Sequence, residues 1–488
     1  MPTAAVARAA DAPTREATLT IGLAVLGVFV TYVPISATSV ALTTIGTATG
    51  ASTADLQWVS DAYVIPMAAT VLSAGVLGDL YGRRRAFIVG MLLTVLGAIV
   101  AGSAGLASGS TAVHTLWLGQ AVSGLGAGLL LPTTLALIGH AVPDPRRRGR
   151  FIGMWATGLM LGLALGPIIS GSLLEATDDW GWIFAPTAAL ALAAGGVALA
   201  LLPESKAPEG RRPDWGGQAC ATVTIASSIY ATISGGQHGW SATSTWLGYA
   251  VAVIALIGFV AVELTTETPL MDLRLFRSAD FTAAGVSALV ALFSVVGAFF
   301  LLSLFLGYVQ HLSALEIGGR MVFVTGVGAL VPPFLGPFLH RLQPLLLLAG
   351  GLAVSAVGVV ALTGIEAGTG YADLAWRLAI FGVGLAITMT TVSTAAINAV
   401  PWQQAGMAAA TNTALRQYGG ALGPAILGVV FSDRLAAGAT PTEAVHTALV
   451  VNATLLGIAA LLCLAAGVVD GVRRRVRPSV GMSATDDR

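Results

Sequence analysis

Long apolar runs separated by short polar links set the pattern of this chain. Runs of the length that a helix needs to cross hydrocarbon, about 20 residues, fall at 18–45, 54–77, 86–106, 115–138, 151–173 and 182–202. They recur at 215–234, 245–265, 281–309, 314–338, 344–364, 374–399, 406–431 and 446–470. Fourteen membrane-spanning helices are expected. Two of them open on capping boxes, Ser52 to Asp55 and Ser313 to Glu316, in which each end satisfies the other's free backbone N–H. The N-terminal run is too long for a secretory leader and has no small-residue cleavage site behind it, so it reads as an uncleaved first span.

Composition agrees, since 56% of the 488 residues are hydrophobic and only 10% are charged, against about a quarter charged in soluble domains. The net charge is zero, so the placement of charge carries the information. Arginines cluster at 83–85, 146–148 with Arg150, 211–212 beside Lys206, Arg274 with Arg277, Arg341, and 473–475 with Arg477. The alternate links hold Glu175, Asp178 and Asp179, or only His238. Positive charge stays on the cytoplasmic side, which puts both termini in the cytoplasm and makes the span count even. Arg320 and Arg377 lie near the outer ends of their spans, where snorkelling accounts for them.

The chain also repeats itself. "LGPIISG" at 165–171 is echoed by "LGPAILG" at 422–428, and Gly75 four residues before Asp79 is echoed by Gly336 before His340. Two six-span halves plus an inserted pair make fourteen, and duplicated halves with a site between them are a transporter architecture. The expected organisation is a tail at 1–17, a six-helix bundle at 18–202, a linker with two inserted helices at 203–265, a second bundle at 266–470 and a tail at 471–488. The inserted pair carries few polar groups and is expected at the periphery.

One residue stands out chemically. Asp61 lies about two turns inside an apolar run, where a carboxylate is unfavourable unless it is used. Desolvation penalises its charged form, so it is suited to taking up and releasing a proton or to neutralising a cation. Arg416 lies near the middle of its run, where an arginine pairs or faces water. Cys220 and Cys463 lack any metal or disulfide spacing, and the six histidines sit mainly at span ends. Enzyme chemistry, metals and cofactors are therefore not expected, and the arginine clusters, explained by topology, give no support to nucleic-acid binding.

These residues resemble the major facilitator superfamily, and within it the fourteen-span drug:proton antiporters, including the quaternary-ammonium efflux group. "GVLGDLYGRRR" (75–85) is similar to the family's loop motif, "GLMLGLALGPIISG" (158–171) to its antiporter motif, "PLMDLRLFRSADF" (269–281) to the segment before span nine, and "AGMAAATNTALRQYGGALGPAILG" (405–428) to span thirteen. The resemblance implies an all-α major facilitator fold in the plasma (inner) membrane and a monomer that moves amphipathic small molecules against protons. It implies a conformational latch at Gly75, Asp79, Gly82, Arg83 and Arg84. It also implies an antiporter helix carrying Gly158, Gly162, Gly166, Pro167 and Gly171, and proton or cation coupling at Asp61 and Arg416. Trp58, Tyr63, Gln120 and Asn412 are candidates to line a substrate cavity, the aromatics through cation–π contacts.

Two departures bear on coupling. Pro34 stands where the family has an acidic residue, and Gln120 where it has the arginine linked to proton transfer. A neutral Gln cannot tune a carboxylate by charge. Proton-coupled export remains the leading expectation; an uncoupled or differently coupled carrier, or a receptor or scaffold that lost transport, are the alternatives.

Overall fold

The computed structural model describes residues 15–206, 213–339, 342–401 and 404–476, with side chains described for all of these except 145–149, 329, 332–339, 405–406 and 470–476. His340, Arg341, Arg211, Arg212 and Arg477, used above for the repeat and the charge alternation, lie outside the described residues. Among the described residues every regular element is helical. The long helices are α1 (Arg15–Thr49), α2 (Thr53–Tyr81), α3 (Arg83–Ser103), α4 (Gly109–Ala141), α5 (Pro145–Thr177), α6 (Ala185–Leu201), α7 (Trp215–His238) and α8 (Thr243–Thr265). They continue as α9 (Ala279–Leu304), α10 (Ala314–Leu339), α11 (Pro344–Leu362), α12 (Tyr371–Asn398), α13 (Ala405–Ala436) and α14 (Pro441–Val476). Counted over the described residues, 11 helices are long and apolar enough to cross a membrane on length and composition; α7, α10 and α13 fall outside that group.

Local chemistry sets the ends. The Asp55 amide donates to Ser52 Oγ (3.2 Å) while the Ser52 amide donates to Asp55 Oδ2 (2.9 Å), and Glu316 and Ser313 repeat the exchange at 3.3 and 2.9 Å. Both expected capping boxes thus form, and Thr440 with Glu443 opens α14 in the same way. Arg320 and Arg377 depart from simple snorkelling. Arg320 donates to Gln310 Oε1 at 2.6 Å and Arg377 pairs with Asp373 at 3.1 Å.

Packing makes the repeat physical. In the first half α1 packs on α5, α2 on α4, and α3 on both α4 and α6; in the second, α9 packs on α13, α10 on α12, and α11 on both α12 and α14. Each partnership recurs eight helices later. The contacts between halves obey the same symmetry, because α5 meets α10, α2 meets α13 and α1 meets α9. The close approaches match as well: a Cβ at Gly166 would stand 2.8 Å from the Val33 carbonyl oxygen, and one at Gly423, its counterpart in the repeat, 2.5 Å from that of Phe293. Small residues let these backbones touch, which is how helices associate where lipid offers no hydrophobic drive.

The halves are sealed together at the end remote from Arg83. There a Cβ at Gly171 would lie 2.5 Å from Leu315 Cα, one at Gly318 2.5 Å from the Pro167 carbonyl oxygen, and one at Gly46 2.5 Å from the Tyr308 hydroxyl. Ser313 Oγ donates to Glu175 Oε1 (2.9 Å), and Ser303 Oγ donates to the Ser39 carbonyl. At mid-depth Gln417 Nε2 donates to the Tyr32 hydroxyl at 2.9 Å.

The inserted pair divides its roles. α8 meets the periphery expectation, with Ile254, Ile257 and Leu264 exposed as a lipid-facing surface would be. α7 instead lies along the seam and touches both halves. Gln218 Nε2 donates to the Ala69 carbonyl of α2 at 2.6 Å and accepts from Ser73, while Ser228 bonds the Tyr418 hydroxyl of α13 at 2.9 Å. Gln218 and Ser228 look unremarkable in sequence because what marks them is the backbone carbonyl or hydroxyl that each meets on a neighbouring helix.

Candidate functional site

The centre of the site is the antiparallel contact of α2 with α13. Gln57 lies against Gly428, and Val64 lies 3.6 Å from the Cβ position of Gly420. Residues 57, 61 and 64 share one helical face, so Asp61 falls on the stripe between them, facing α13 at the level of Pro424. Asp61 is completely buried, and neither carboxylate oxygen has a hydrogen-bond partner. A charge in that position would be uncompensated. Across the seam, Pro424 has no N–H, so the Gly420 carbonyl is deprived of its regular helical donor. An unsatisfied carboxyl on α2 and a carbonyl without its regular helical donor on α13 therefore lie on the same pair of packed helices.

The structure does not bring Asp61 and Arg416 into a hydrogen bond. Arg416 lies eight positions along α13 from Pro424, a rise of roughly 12 Å. It is 5% exposed and its Nε has no partner. Its neighbours are polar and half-satisfied: Asn412 donates to the Ala284 carbonyl at 3.4 Å but its Oδ1 accepts nothing, and Gln417 Oε1 is likewise unpartnered. This face of α13 combines a buried cation with free acceptors just below the mid-depth Gln417–Tyr32 bond.

The four candidate cavity residues are not brought to one surface. Trp58 packs on the rings of Trp117 (6.2 Å) and Tyr230 (6.5 Å). Tyr63 is buried inside the first half and donates to the Thr31 carbonyl at 2.6 Å. Gln120 donates to Thr38 Oγ1 and the Val59 carbonyl, both at 3.3 Å, tying α4 to α1 and α2. Asn412 faces α9. Tyr63 and Gln120 are thus spent on packing their own half, because a buried hydroxyl or amide takes the nearest backbone acceptor.

The loop motif forms around Gly82, whose φ of 107° suits glycine. Arg83 pairs with Asp79 at 2.8 Å and reaches the Ala136 carbonyl of α4 at 3.5 Å. Glu204, in the link after α6, completes the cluster. Its carboxylate accepts the Arg84 amide at 3.2 Å and lies 3.7 Å from Arg85 Nε, while the Arg83 amide donates to the Ser205 carbonyl at 3.0 Å. Asp79 and Ala136 belong to the first half, and Glu204 and Ser205 to the link that directly follows it; none of these partners lies in the second half. Glu204 leaves little mark in the sequence, where the only signal is an acid in "PESK" directly behind an apolar run. Replacing Glu204 with Ala leaves the start of α3 without its charged acceptor and is expected to remove about 1–2 kcal/mol of local stability. Faster amide exchange at residues 82–86, measured by mass spectrometry, is the expected result, and unchanged exchange would contradict it.

The span-five motif splits in two. Its glycines face α1 within their own half, where Cβ atoms at Gly158 and Gly166 would stand 2.9 and 2.8 Å from the Val25 and Val33 carbonyl oxygens. Pro167 and Gly171 instead face α10 of the other half. One helix therefore carries both an internal seam and a contact between halves.

The architecture is that of a multi-pass membrane transporter built from two like halves. The Major Facilitator Superfamily model matches residues 24–424, and the chain belongs to that superfamily. It is 31% identical over 432 residues to multidrug resistance protein Stp of Mycobacterium tuberculosis (strain CDC 1551 / Oshkosh), covering 88% of this chain and 78% of that protein. It is 30% identical over 386 residues to the tetracenomycin C resistance and export protein of Streptomyces glaucescens, covering 79% and 70%. Among solved structures, the peptide transporter POT superposes with a TM-score of 0.64 at 17% identity, covering 94% of this chain and 95% of that one, which is a likeness of fold. The chain is a transporter and not an enzyme.

Proposed function

We propose that this protein exports amphipathic drugs or antibiotics across the plasma membrane in exchange for protons, by alternating access, with Asp61 as the proton carrier. The observation that carries this reading is the Asp61 carboxyl, wholly buried between the halves with both oxygens unpartnered. All fourteen long helices span the bilayer in this reading, including α7, α10 and α13, and both termini are cytoplasmic. The sealed end is then the outer one, and the conformation is inward-facing. The names of the relatives, multidrug resistance and tetracenomycin export, support export as the direction and antibiotics as cargo.

Mechanistically, a protonated Asp61 is neutral and can donate to the Gly420 carbonyl that Pro424 leaves free, so α2 and α13 stay together. Loss of that proton creates a buried charge that this seam cannot hold. The seam then opens toward water, and Arg416 is the cation placed to meet the carboxylate from α13. Coupling follows because drug binding and Asp61 protonation favour opposite states.

Gln120 supports a second reading. It is neutral and its Nε2 donates to Thr38 and Val59, so it supplies no charge that would force Asp61 to release its proton, and an uncoupled carrier would show the same geometry. Purified protein in proteoliposomes separates the two. A fluorescent lipophilic drug should accumulate against its gradient only when a pH gradient is imposed; downhill flux unaffected by pH gradients would favour the uncoupled carrier, and no flux of any drug would refute export.

A further inference from the structure

A second buried acidic centre lies away from the α2–α13 seam, at the Arg83-bearing ends of the inserted helices. Asp214 caps α7 by accepting the Gly217 amide at 2.7 Å through Oδ1. Glu263, in the last turn of α8, accepts the Met271 amide at 3.1 Å through Oε2. Asp214 is 9% and Glu263 5% exposed, and the remaining oxygens, Asp214 Oδ2 and Glu263 Oε1, have no partner. They converge. A Cβ added at Gly217 would stand 2.6 Å from Asp214 Oδ2 and 2.9 Å from Glu263 Oε1, so only glycine leaves the space the two oxygens share.

Two carboxylates that face each other away from water cannot both stay charged without a counter-ion. Among the described residues, the charged groups acting through space on Glu263 are Asp214 and Asp272, both anions. Asp272 is turned to its own loop, where it accepts the Arg274 amide at 2.9 Å. Among the described residues of the surrounding links, the ionic side chains of Lys206, Glu267, Arg274 and Arg277 are exposed. With only two free oxygens, the centre is too sparse to coordinate a metal, since calcium takes six to eight oxygens and magnesium six. A single proton satisfies both oxygens at once, as an O–H···O⁻ bond of the short, charge-assisted kind.

We propose that Asp214 and Glu263 share one proton, and that this bond clasps the inserted helices to each other and to the 270–277 loop that leads into the second half. The proton comes from water on the Arg83 side and returns there, with no other group changing charge. Through Glu263 the clasp holds Met271, and through Asp214 it holds the start of α7, the helix whose Gln218 and Ser228 bridge α2 and α13. The state of this pair therefore sets how firmly α7 is anchored while the halves rock. This proton site is separate from Asp61 and does not depend on drug export.

The test uses full-length protein in detergent, carrying Asp61→Asn so that the first buried carboxyl is silent. Infrared spectra in heavy water should show a protonated carboxyl band that disappears in Glu263→Gln and in Asp214→Asn alike. A band that survives both replacements overturns the proposal. A second readout guards against misfolding. Thermal midpoints should fall as pH is raised in the parent protein, because the folded state then releases the shared proton. Glu263→Gln, whose amide N–H donates permanently to Asp214, should keep its midpoint across the same pH range. An equal pH slope in both proteins, or recovery of the midpoint at high pH by calcium or sodium alone, contradicts a shared proton.

Discussion

Replacing Asp61 with Asn is expected to reduce drug accumulation driven by a pH gradient to the level of protein-free vesicles, while leaving downhill drug exchange measurable. The asymmetry follows from what the amide keeps and what it loses. Asn fills the same space between α2 and α13 and its N–H can still donate to the Gly420 carbonyl, so the seam closes as it does with a protonated acid. It cannot ionise, so no proton is delivered. Asp61→Glu should retain part of the gradient-driven flux, because the longer acid still titrates but packs less well in a close seam. Equal gradient-driven accumulation in wild type and Asp61→Asn would remove Asp61 from the coupling path.

Gly171→Val should give the second large effect. The added Cβ meets Leu315 Cα at 2.5 Å, and backbone on both sides leaves no flexible group to yield. Overpacking of this kind costs about 1–3 kcal/mol and is felt only when the two halves meet at this end. A penalty of that size shifts the equilibrium between sealed and open states by roughly 5- to 150-fold. Transport should collapse although the protein remains folded and inserted. The conformational part can be read with a cysteine at Thr43, which lies against Gly307 in the sealed end, after Cys220 and Cys463 are replaced by Ser. An impermeant maleimide applied from outside should label Thr43→Cys faster when Gly171→Val is present; an unchanged rate would mean that α5 and α10 do not set the seal.

Much of the fold was legible in the chain because lipid constrains backbones severely: every apolar run had to be a helix. The repeat was legible from "LGPIISG" and "LGPAILG", since the same glycine and proline spacing serves the same helix contact twice. Asp61 was legible because a charge in an apolar run has few explanations. Its lack of any partner was not, since that depends on what α13 presents, eleven helices further along the chain. The position of α7 was hidden for a related reason. Gln218 and Ser228 are ordinary residues whose meaning lies in the Ala69 carbonyl and the Tyr418 hydroxyl they meet. Glu204 and the Asp214–Glu263 pair were missed because each works through a backbone amide, and amides leave no mark in sequence. Tyr63 and Gln120 were read as cavity residues on chemistry alone; hydrogen bonds inside the first half consume them.

In the proposed exchange, protons move opposite to drug through one buried carboxyl. The most direct measurement is the pH inside proteoliposomes, followed with a trapped indicator while drug is added on one side and no ion gradient is present. Wild-type protein should move protons opposite to the drug, with a signal that grows with drug flux and vanishes in Asp61→Asn. Drug flux in the wild type without any change in internal pH would contradict proton exchange and leave Asp61 a structural group.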